Sequence, residues 1–127
     1  INIDNIYIGH SVAPLWGDGG ILGRSPRLGD GGTTMNITNT VVYINGSDGA
    51  SYGAVAHTFN DAYGLTFDNC YFIRAKGKVV SVANVAIPTT GYTAYTDLTA
   101  FKVAFDASQV TGLSSFLIRK IQNLVNA

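Results

Sequence analysis

Glutamate is absent from this chain, and several other residue types are scarce. All eight acidic residues are aspartates, and only four of the eight basic residues are lysines. Because soluble helices draw heavily on Glu and Lys, this composition argues against a mainly helical protein. Seven Tyr and six Phe, together with many Val, Ile and Thr, favour β-structure instead.

Charge is also scarce. Charged residues make up 13% of the chain, against about 25% in a typical soluble protein. The formal net charge is zero, which argues against a protein whose main task is to hold nucleic acid through its phosphates, although it leaves room for a local basic patch. A hydrophobic content of 46% excludes disorder that arises from low hydrophobicity and high net charge.

Cys70 is the single cysteine, which excludes an internal disulfide and a cysteine-rich zinc site. It lies in an apolar segment, and we expect it to be a small buried residue. No apolar run approaches the roughly 20 residues of a membrane helix, so no membrane partner is expected. The chain begins with Ile1 instead of Met, which indicates a processed product or a segment of a longer chain.

The 127 residues fit one compact domain with two parts. Residues 1–88 form a predicted β-rich body, and residues 89–127 form a predicted strand followed by one amphipathic helix. Apolar patterning predicts the strands at 2–9, 35–44, 52–59, 65–74, 78–87 and 92–105.

The C-terminal segment has apolar residues at helical spacing, with Asp106 or Ser108 as the expected N-terminal cap. A helix of this length is marginal in water, so its apolar stripe must pack on something. The stripe fits either the sheet of the same chain or a second subunit. As an oligomer interface it would comprise Leu113, Phe116, Leu117, Ile121 and Leu124.

A short phrase occurs three times in the β-rich body, at residues 3–8, 37–42 and 67–72. Each copy has an apolar residue, a small polar residue, Asn, any residue and then two apolar or aromatic residues. Asn5, Asn39 and Asn69 therefore lie 34 and then 30 positions apart. Periods of 20–50 residues indicate a repeated architecture, in which stacked strands let the Asn side chains form a ladder.

Residues 64–72 and the two weaker copies resemble the right-handed parallel β-helix of phage tailspikes and pectate-lyase-like proteins. The resemblance covers about residues 1–85 and implies stacked coils, followed here by a strand and one C-terminal α-helix. It implies a virion protein that self-assembles, an adhesin that contacts bacterial surface polysaccharide. Its partners would be copies of the chain and a bacterial glycan.

Three residues are the candidates for contacting that glycan. Trp16 could stack on a sugar ring, and Asp18 and Asp30 are carboxylates in Gly-rich loops. The cleaving members of the resembled family use paired carboxylates, and no spacing here indicates such a pair. A polysaccharide-cleaving enzyme is therefore the weakest of the three hypotheses, and no catalytic residue, metal or cofactor is predicted.

A second resemblance is to the coat proteins of single-stranded RNA phages. Residues 41–46 followed by 52–59 are similar to the opening hairpin of that family, and residues 95–105 with the final helix are similar to its end. This alternative implies an antiparallel β-meander plus a C-terminal helix, and a coat or cement subunit of an icosahedral shell. Viral RNA would then contact Arg74, Lys76 and Lys78, which otherwise form the solvated tip of a hairpin. Two departures are the roughly 34 residues before the strand that opens this hairpin at Met35 and the missing second C-terminal helix.

Overall fold

A computed structural model describes residues 1–10, 22–25, 35–44, 53–58, 65–74, 78–82 and 89–127. The strands in these ranges are β1 (Asn2–Asp4), β2 (Tyr7–His10), β3 (Leu22–Ser25), β4 (Met35–Thr38), β5 (Val41–Ile44), β6 (Gly53–Thr58), β7 (Leu65–Asp68), β8 (Cys70–Arg74), β9 (Lys78–Val82) and β10 (Tyr92–Tyr95). The helices are α1 (Leu98–Asp106) and α2 (Ser115–Val125).

The described strands form three sheets, and every strand pair in them is parallel. Sheet 1 has the order β1-β4-β7, sheet 2 has the order β10-β8-β5-β2, and sheet 3 has the order β3-β6-β9. The chain therefore visits the three sheets in the same order three times, and β10 then adds a fourth strand to sheet 2. We call each of these circuits a coil.

In-register pairing places like residues above one another. Ile3, Ile37 and Phe67 are aligned across sheet 1, and Val42 and Phe72 are aligned in sheet 2. Ile37, Val42 and Phe72 are completely buried. Burial of such a side chain stabilises a fold by about 1.5–3 kcal/mol, so these stacks form much of the core.

Aromatic rings close one end of this core. The Phe72 ring stacks on Tyr92 with centroids 5.3 Å apart, and Phe67 meets both rings edge-on at 5.2 and 5.4 Å. Tyr92 belongs to β10, the last strand added to sheet 2. The added strand therefore contributes an aromatic side chain to the packing of the third coil.

Each of the three repeated phrases is two strands with an asparagine at the turn, where the sequence predicts one continuous strand. Asn5, Asn39 and Asn69 have φ values of 58°, 47° and 53°. This left-handed conformation interrupts a strand and is costly for most residues, but Asn adopts it more readily than other non-glycine residues. The turn redirects the chain from sheet 1 into sheet 2.

The turn asparagines form a ladder of hydrogen bonds between coils. Asn69 Nδ2 donates to Asn39 Oδ1 at 3.0 Å, and Asn39 Nδ2 donates to Asp4 Oδ1, also at 3.0 Å. The predicted stacking of these positions is therefore present, with Asp4 instead of Asn5 as the acceptor in the first coil. The backbone adds parallel links, such as the N–H of Asn39 to the carbonyl of Asp68 at 3.0 Å.

The two helices cover the other side of sheet 2. Phe101 of α1 and Ile121 and Val125 of α2 pack in one cluster with Val41 and Tyr71 of the sheet. Val41 and Val42 are both completely buried although neighbours in a strand point to opposite faces. The central strands of sheet 2, β5 and β8, are therefore buried on both faces, as strands of parallel sheets generally are.

The strand predicted at 92–105 is wrong beyond Tyr95, because α1 begins at Leu98. Asp97 caps this helix, since its carboxylate accepts a hydrogen bond from the Ala100 N–H at 2.8 Å. Phe101 and Ala104 are the buried residues of α1. The alternation of apolar and polar residues that predicted a strand here also fits the buried side of a short helix. The Asp97 cap favours the helix.

The described C-terminal part therefore has two helices instead of the single predicted one. The second begins at Ser115 with Ser114 as its cap, whose hydroxyl accepts from the Leu117 N–H at 3.2 Å. The predicted caps, Asp106 and Ser108, lie at the end of α1 and after it. The N-terminal cap of α2 is the residue directly before the helix, whereas the predicted caps lie several residues upstream of it.

The antiparallel meander is also wrong. β5 pairs with β2 and β8, whereas β6 pairs with β3 and β9, so the two strands of the expected coat-like hairpin lie in different sheets. The repeat of 30–34 residues, not the local turn chemistry, determines which strands are neighbours.

Replacement of Asn39 tests the left-handed turn. Asn39→Ala should lower the free energy of unfolding by about 2 kcal/mol, because alanine is strained at positive φ and cannot bond to Asp4 or Asn69. Asn39→Gly should cost less, because glycine adopts the same backbone conformation. Urea denaturation followed by circular dichroism measures both.

The matched control is Asn123→Ala on the exposed side of α2, which should change stability by less than about 0.5 kcal/mol. Equal losses for the alanine and glycine variants of Asn39 would show that the backbone conformation of this turn is unimportant.

Candidate functional site: a polar sheet face

Sheet 1 presents two rows of small polar side chains to solvent. Ile37 and Phe67 point into the core, so the residues on either side of them point outward. Register aligns the outward residues in two rows that cross the three coils. The first row is Asn2, Asn36 and Thr66, and the second row is Asp4, Thr38 and Asp68; together we call them the polar face.

Hydrogen bonds between coils order the polar face. In the first row, Asn36 Nδ2 donates to Asn2 Oδ1 at 3.1 Å, and Thr66 Oγ1 donates to Asn36 Oδ1 at 2.6 Å. In the second row, Thr38 Oγ1 donates to Asp4 Oδ1 at 2.6 Å. These bonds restrict the rotamers, so the remaining lone pairs and N–H groups are held in place at the strand spacing of about 4.8 Å.

Asp4 is ionised at lower pH than an ordinary aspartate. The hydroxyl of Thr38 and then the amide of Asn39 donate to its carboxylate and lower its pKa below the usual value of 3.8. Hydrogen bonds to the charged form favour that form. With Asp68, the polar face therefore carries two carboxylates and no cationic side chain.

A cavity of about 320 Å³ adjoins the second row at the end of the third coil. Residues 68–71 and 91–93 line it, so Asp68 belongs both to the polar face and to the cavity. Asp68, Asn69 and Thr93 are polar residues of the lining. Tyr92 also lines the cavity and is half-buried, with its ring packed against Phe67 and Phe72. The arrangement places hydrogen-bonding groups beside an aromatic side chain in an open depression.

Gly91 determines the shape of this cavity. Its φ is +86°, and a Cβ on it would lie 1.8 Å from the carbonyl oxygen of Phe67. Only glycine permits this approach of residue 91 to the third coil. The carbonyl of Gly91 then accepts the N–H of Cys70 at 3.1 Å, which joins the two walls of the cavity.

Cys70 is buried, with 1% of its surface exposed, which confirms its expected position. Its thiol lies 3.2 Å from the carbonyl oxygen of Ile37, to which it donates. Burial is the largest influence on the thiol and raises its pKa above the ordinary value of 9.0. Thiolate character is thereby suppressed, which gives Cys70 the chemistry of a packing residue, not of a nucleophile.

The residues predicted to contact glycan or RNA are largely outside the described part of the chain. Trp16, Asp18, Asp30 and Lys76 all lie there. Arg74 ends β8 in sheet 2, whereas Lys78 begins β9 in sheet 3. The backbone therefore places these two basic residues on different sheets and not on the two arms of one hairpin.

The predicted interface residues of the final helix lie at different depths. Leu117 and Ile121 are completely buried within the chain, and Leu113 and Leu124 are half-buried against the core. Phe116 is 45% exposed, with Lys120 Nζ 5.6 Å from its ring centroid. Leu117 and Ile121 are thus already covered by residues of their own chain.

The polar face was not predicted from the sequence, although the sequence contains a pattern that indicates it. Each repeated phrase begins with an apolar and a polar residue, and another polar residue precedes it: Asn2 to Asp4, Asn36 to Thr38 and Thr66 to Asp68. Alignment of the copies on their asparagines would have placed these residues in two columns. Only the outward direction of the columns required the structure.

No family model, curated protein or solved structure matches the chain. Within the described ranges, no helix has the length and apolar character needed to cross a membrane. Those same ranges contain no group of three or more His, Cys, Asp or Glu side chains that could hold a metal ion.

The lowered pKa of Asp4 predicts a link between pH and stability. Because the pKa of the folded state lies below that of the unfolded chain, the stabilisation is present above about pH 4 and is lost as pH falls through the folded pKa. Carboxyl NMR titration should show Asp4 titrating below 3.8.

Thr38→Val should move the titration of Asp4 toward 3.8, because it removes the strongest donor to the carboxylate. Thr96→Val, at an exposed threonine outside sheet 1, is the control and should leave it unchanged. A titration of Asp4 that is the same in Thr38→Val and in the unmodified protein would contradict the assigned hydrogen bond.

Proposed function

We propose that the stacked coils are a parallel β-helix and that the protein is a virion structural protein of the tailspike type, an adhesin that contacts bacterial surface polysaccharide. The observation that carries this proposal is the polar face, an ordered array of hydroxyl, amide and carboxylate groups repeated from coil to coil. It is an elongated surface, which suits a chain-like ligand with repeating hydroxyl groups.

The chemistry of the polar face favours a neutral or amino-bearing polysaccharide. Asp4 and Asp68 would repel phosphate or sulfate groups, and no cationic side chain of the face offsets them. Carboxylate, amide and hydroxyl groups accept and donate hydrogen bonds to sugar hydroxyls. Because the bonds between coils already hold most of these side chains, binding would cost little side-chain entropy.

The adjoining cavity supplies a second kind of contact. Tyr92 is half-buried, and the part that Phe67 and Phe72 leave exposed would offer an aromatic surface beside the polar groups of Asp68 and Thr93. A sugar has an apolar side formed by C–H groups and an edge of hydroxyl groups, so a site that binds it combines both kinds of contact. We place the strongest sugar contact here, where the second row meets the cavity.

Association of copies is the second part of the proposal. Val103 of α1 and Phe116 of α2 are 66% and 45% exposed, although both are large apolar side chains. A second copy that covers them would remove apolar surface from water. The resemblance to tailspikes makes a trimer the expected assembly, and Leu117 and Ile121 would support the interface from within.

Binding to an array of bacterial surface polysaccharides tests the adhesin function. Asp68→Asn and Thr66→Val should each weaken binding about tenfold or more, because each removes a group that a sugar hydroxyl would meet. Thr99→Val, on an exposed side of α1, is the matched control and should bind like the unmodified protein.

Absence of binding to any polysaccharide on the array would contradict the adhesin function. Equal losses in Thr99→Val and Thr66→Val would contradict the assignment to the polar face.

Mass photometry tests the assembly. We expect a trimer of the 13.4 kDa chain, and fewer trimers for the double variant Val103→Ser with Phe116→Ser, because the exposed apolar surface is removed. Asn123→Ala should assemble normally. A protein that is monomeric at all concentrations tested would contradict self-assembly, and a shell of many tens of subunits would contradict the spike form.

A further inference from the structure

The segment between the two helices crosses the turns of the coil stack. Thr111 lies at the third coil, where its carbonyl accepts a hydrogen bond from Asn69 Nδ2 at 3.1 Å. Ser114 lies at the first coil, where its hydroxyl donates to Asn5 Oδ1 at 2.6 Å. Residues 111–114, which we call the strap, therefore connect the first coil with the third.

Tyr71 fixes one end of the strap. Its hydroxyl accepts a hydrogen bond from the Thr111 N–H at 3.1 Å and lies 3.2 Å from the Thr111 carbonyl oxygen. The same hydroxyl lies 3.0 Å from Asn69 Oδ1. Both backbone groups of Thr111 are thus held at the third coil, immediately after the buried Val110.

Gly112 lets the strap lie close against the turn asparagines. Its φ is +75°, and a Cβ on it would lie 2.8 Å from Asn69 Nδ2. A side chain at position 112 would clash with the amide of Asn69, and the positive φ would be strained for a residue other than glycine. The strap is therefore fitted to the surface that the turn asparagines form.

The length of the strap matches three coils. Two strand separations span about 9.5 Å, and the three residue steps from 111 to 114 reach at most about 10–11 Å. The strap bends at Gly112, so it has little length to spare and holds both ends only when the coils are stacked in register. A displaced first coil would move Asn5 beyond the reach of Ser114.

Ser114, at the first-coil end of the strap, is also the N-terminal cap of α2. Ser114 Oγ accepts the Leu117 N–H as the cap of α2 and at the same time donates its proton to Asn5 Oδ1. One hydroxyl thus stabilises the start of the helix and the turn of the first coil. Correct stacking of the coils and formation of α2 therefore support each other.

From these contacts we propose that residues 111–114 are a register latch, which holds the first and third coils together and makes the first coil open only together with the rest of the fold. In this structure β1 and β2 of the first coil pair on one side only, with β4 and β5. Without the latch, we expect this coil to open separately. This inference concerns the fold and does not depend on the ligand of the polar face.

Amide hydrogen exchange measured by NMR tests the latch. The Val41 N–H, which donates to Ile6, reports the contact between the first and second coils, and the Tyr71 N–H, which donates to Thr40, reports the contact between the second and third. Ser114→Asp retains a helix cap but loses the proton donated to Asn5. It should raise the exchange rate at Val41 at least fivefold and leave the rate at Tyr71 within twofold.

Three further variants complete the experiment. Ser114→Thr keeps both the cap and the donor and should exchange like the unmodified protein, as should Ser115→Ala, which changes the neighbouring hydroxyl. Asn5→Gly keeps the turn conformation and should raise the rate at Val41 as Ser114→Asp does. The double variant with Ser114→Asp should show no further rise, because both changes remove the same bond.

An unchanged rate at Val41 in Ser114→Asp would overturn the latch. Equal acceleration at Val41 and Tyr71 would also overturn it, because that result describes a general loss of stability and not the release of the first coil.

Discussion

The asparagine at each turn, held in a left-handed conformation, is the constraint on which the rest of the structure depends. Its positive φ ends one strand and directs the next into a second sheet. The amides of Asn39 and Asn69 also donate to side chains of the preceding coil, which links adjacent turns. Because the same turn recurs at Asn5, Asn39 and Asn69, the coils superpose, and every other alignment follows from that superposition.

Two surfaces and one core result from this superposition. Inward residues such as Ile37 and Phe72 stack into continuous apolar columns, and outward residues of sheet 1 stack into polar rows with the same spacing. The outer side of sheet 2 is apolar, which a solvent-exposed sheet could not sustain, and the two helices cover it. The division between a polar, solvent-facing sheet and an apolar, helix-covered sheet is thus a consequence of which residue types occupy alternate positions.

The titratable side chains discussed above are each held in one protonation state. The carboxylate of Asp4 accepts hydrogen bonds from a hydroxyl and an amide, which favours its ionised form and makes it a poor general acid. Burial keeps the thiol of Cys70 protonated. What these residues offer is a fixed pattern of donors and acceptors, and a fixed pattern suits recognition.

The sequence by itself determined the β-rich character, the 30–34-residue repeat, the burial of Cys70 and the position of an amphipathic C-terminal helix. These are local or periodic properties, which a linear pattern records directly. Only the tertiary structure decided that the strands are parallel, that residues 98–106 form a helix and that Leu117 and Ile121 are buried in their own chain. Such outcomes depend on which surfaces meet in space, and Asn5 and Ser114, 109 residues apart, meet only after the coils have stacked.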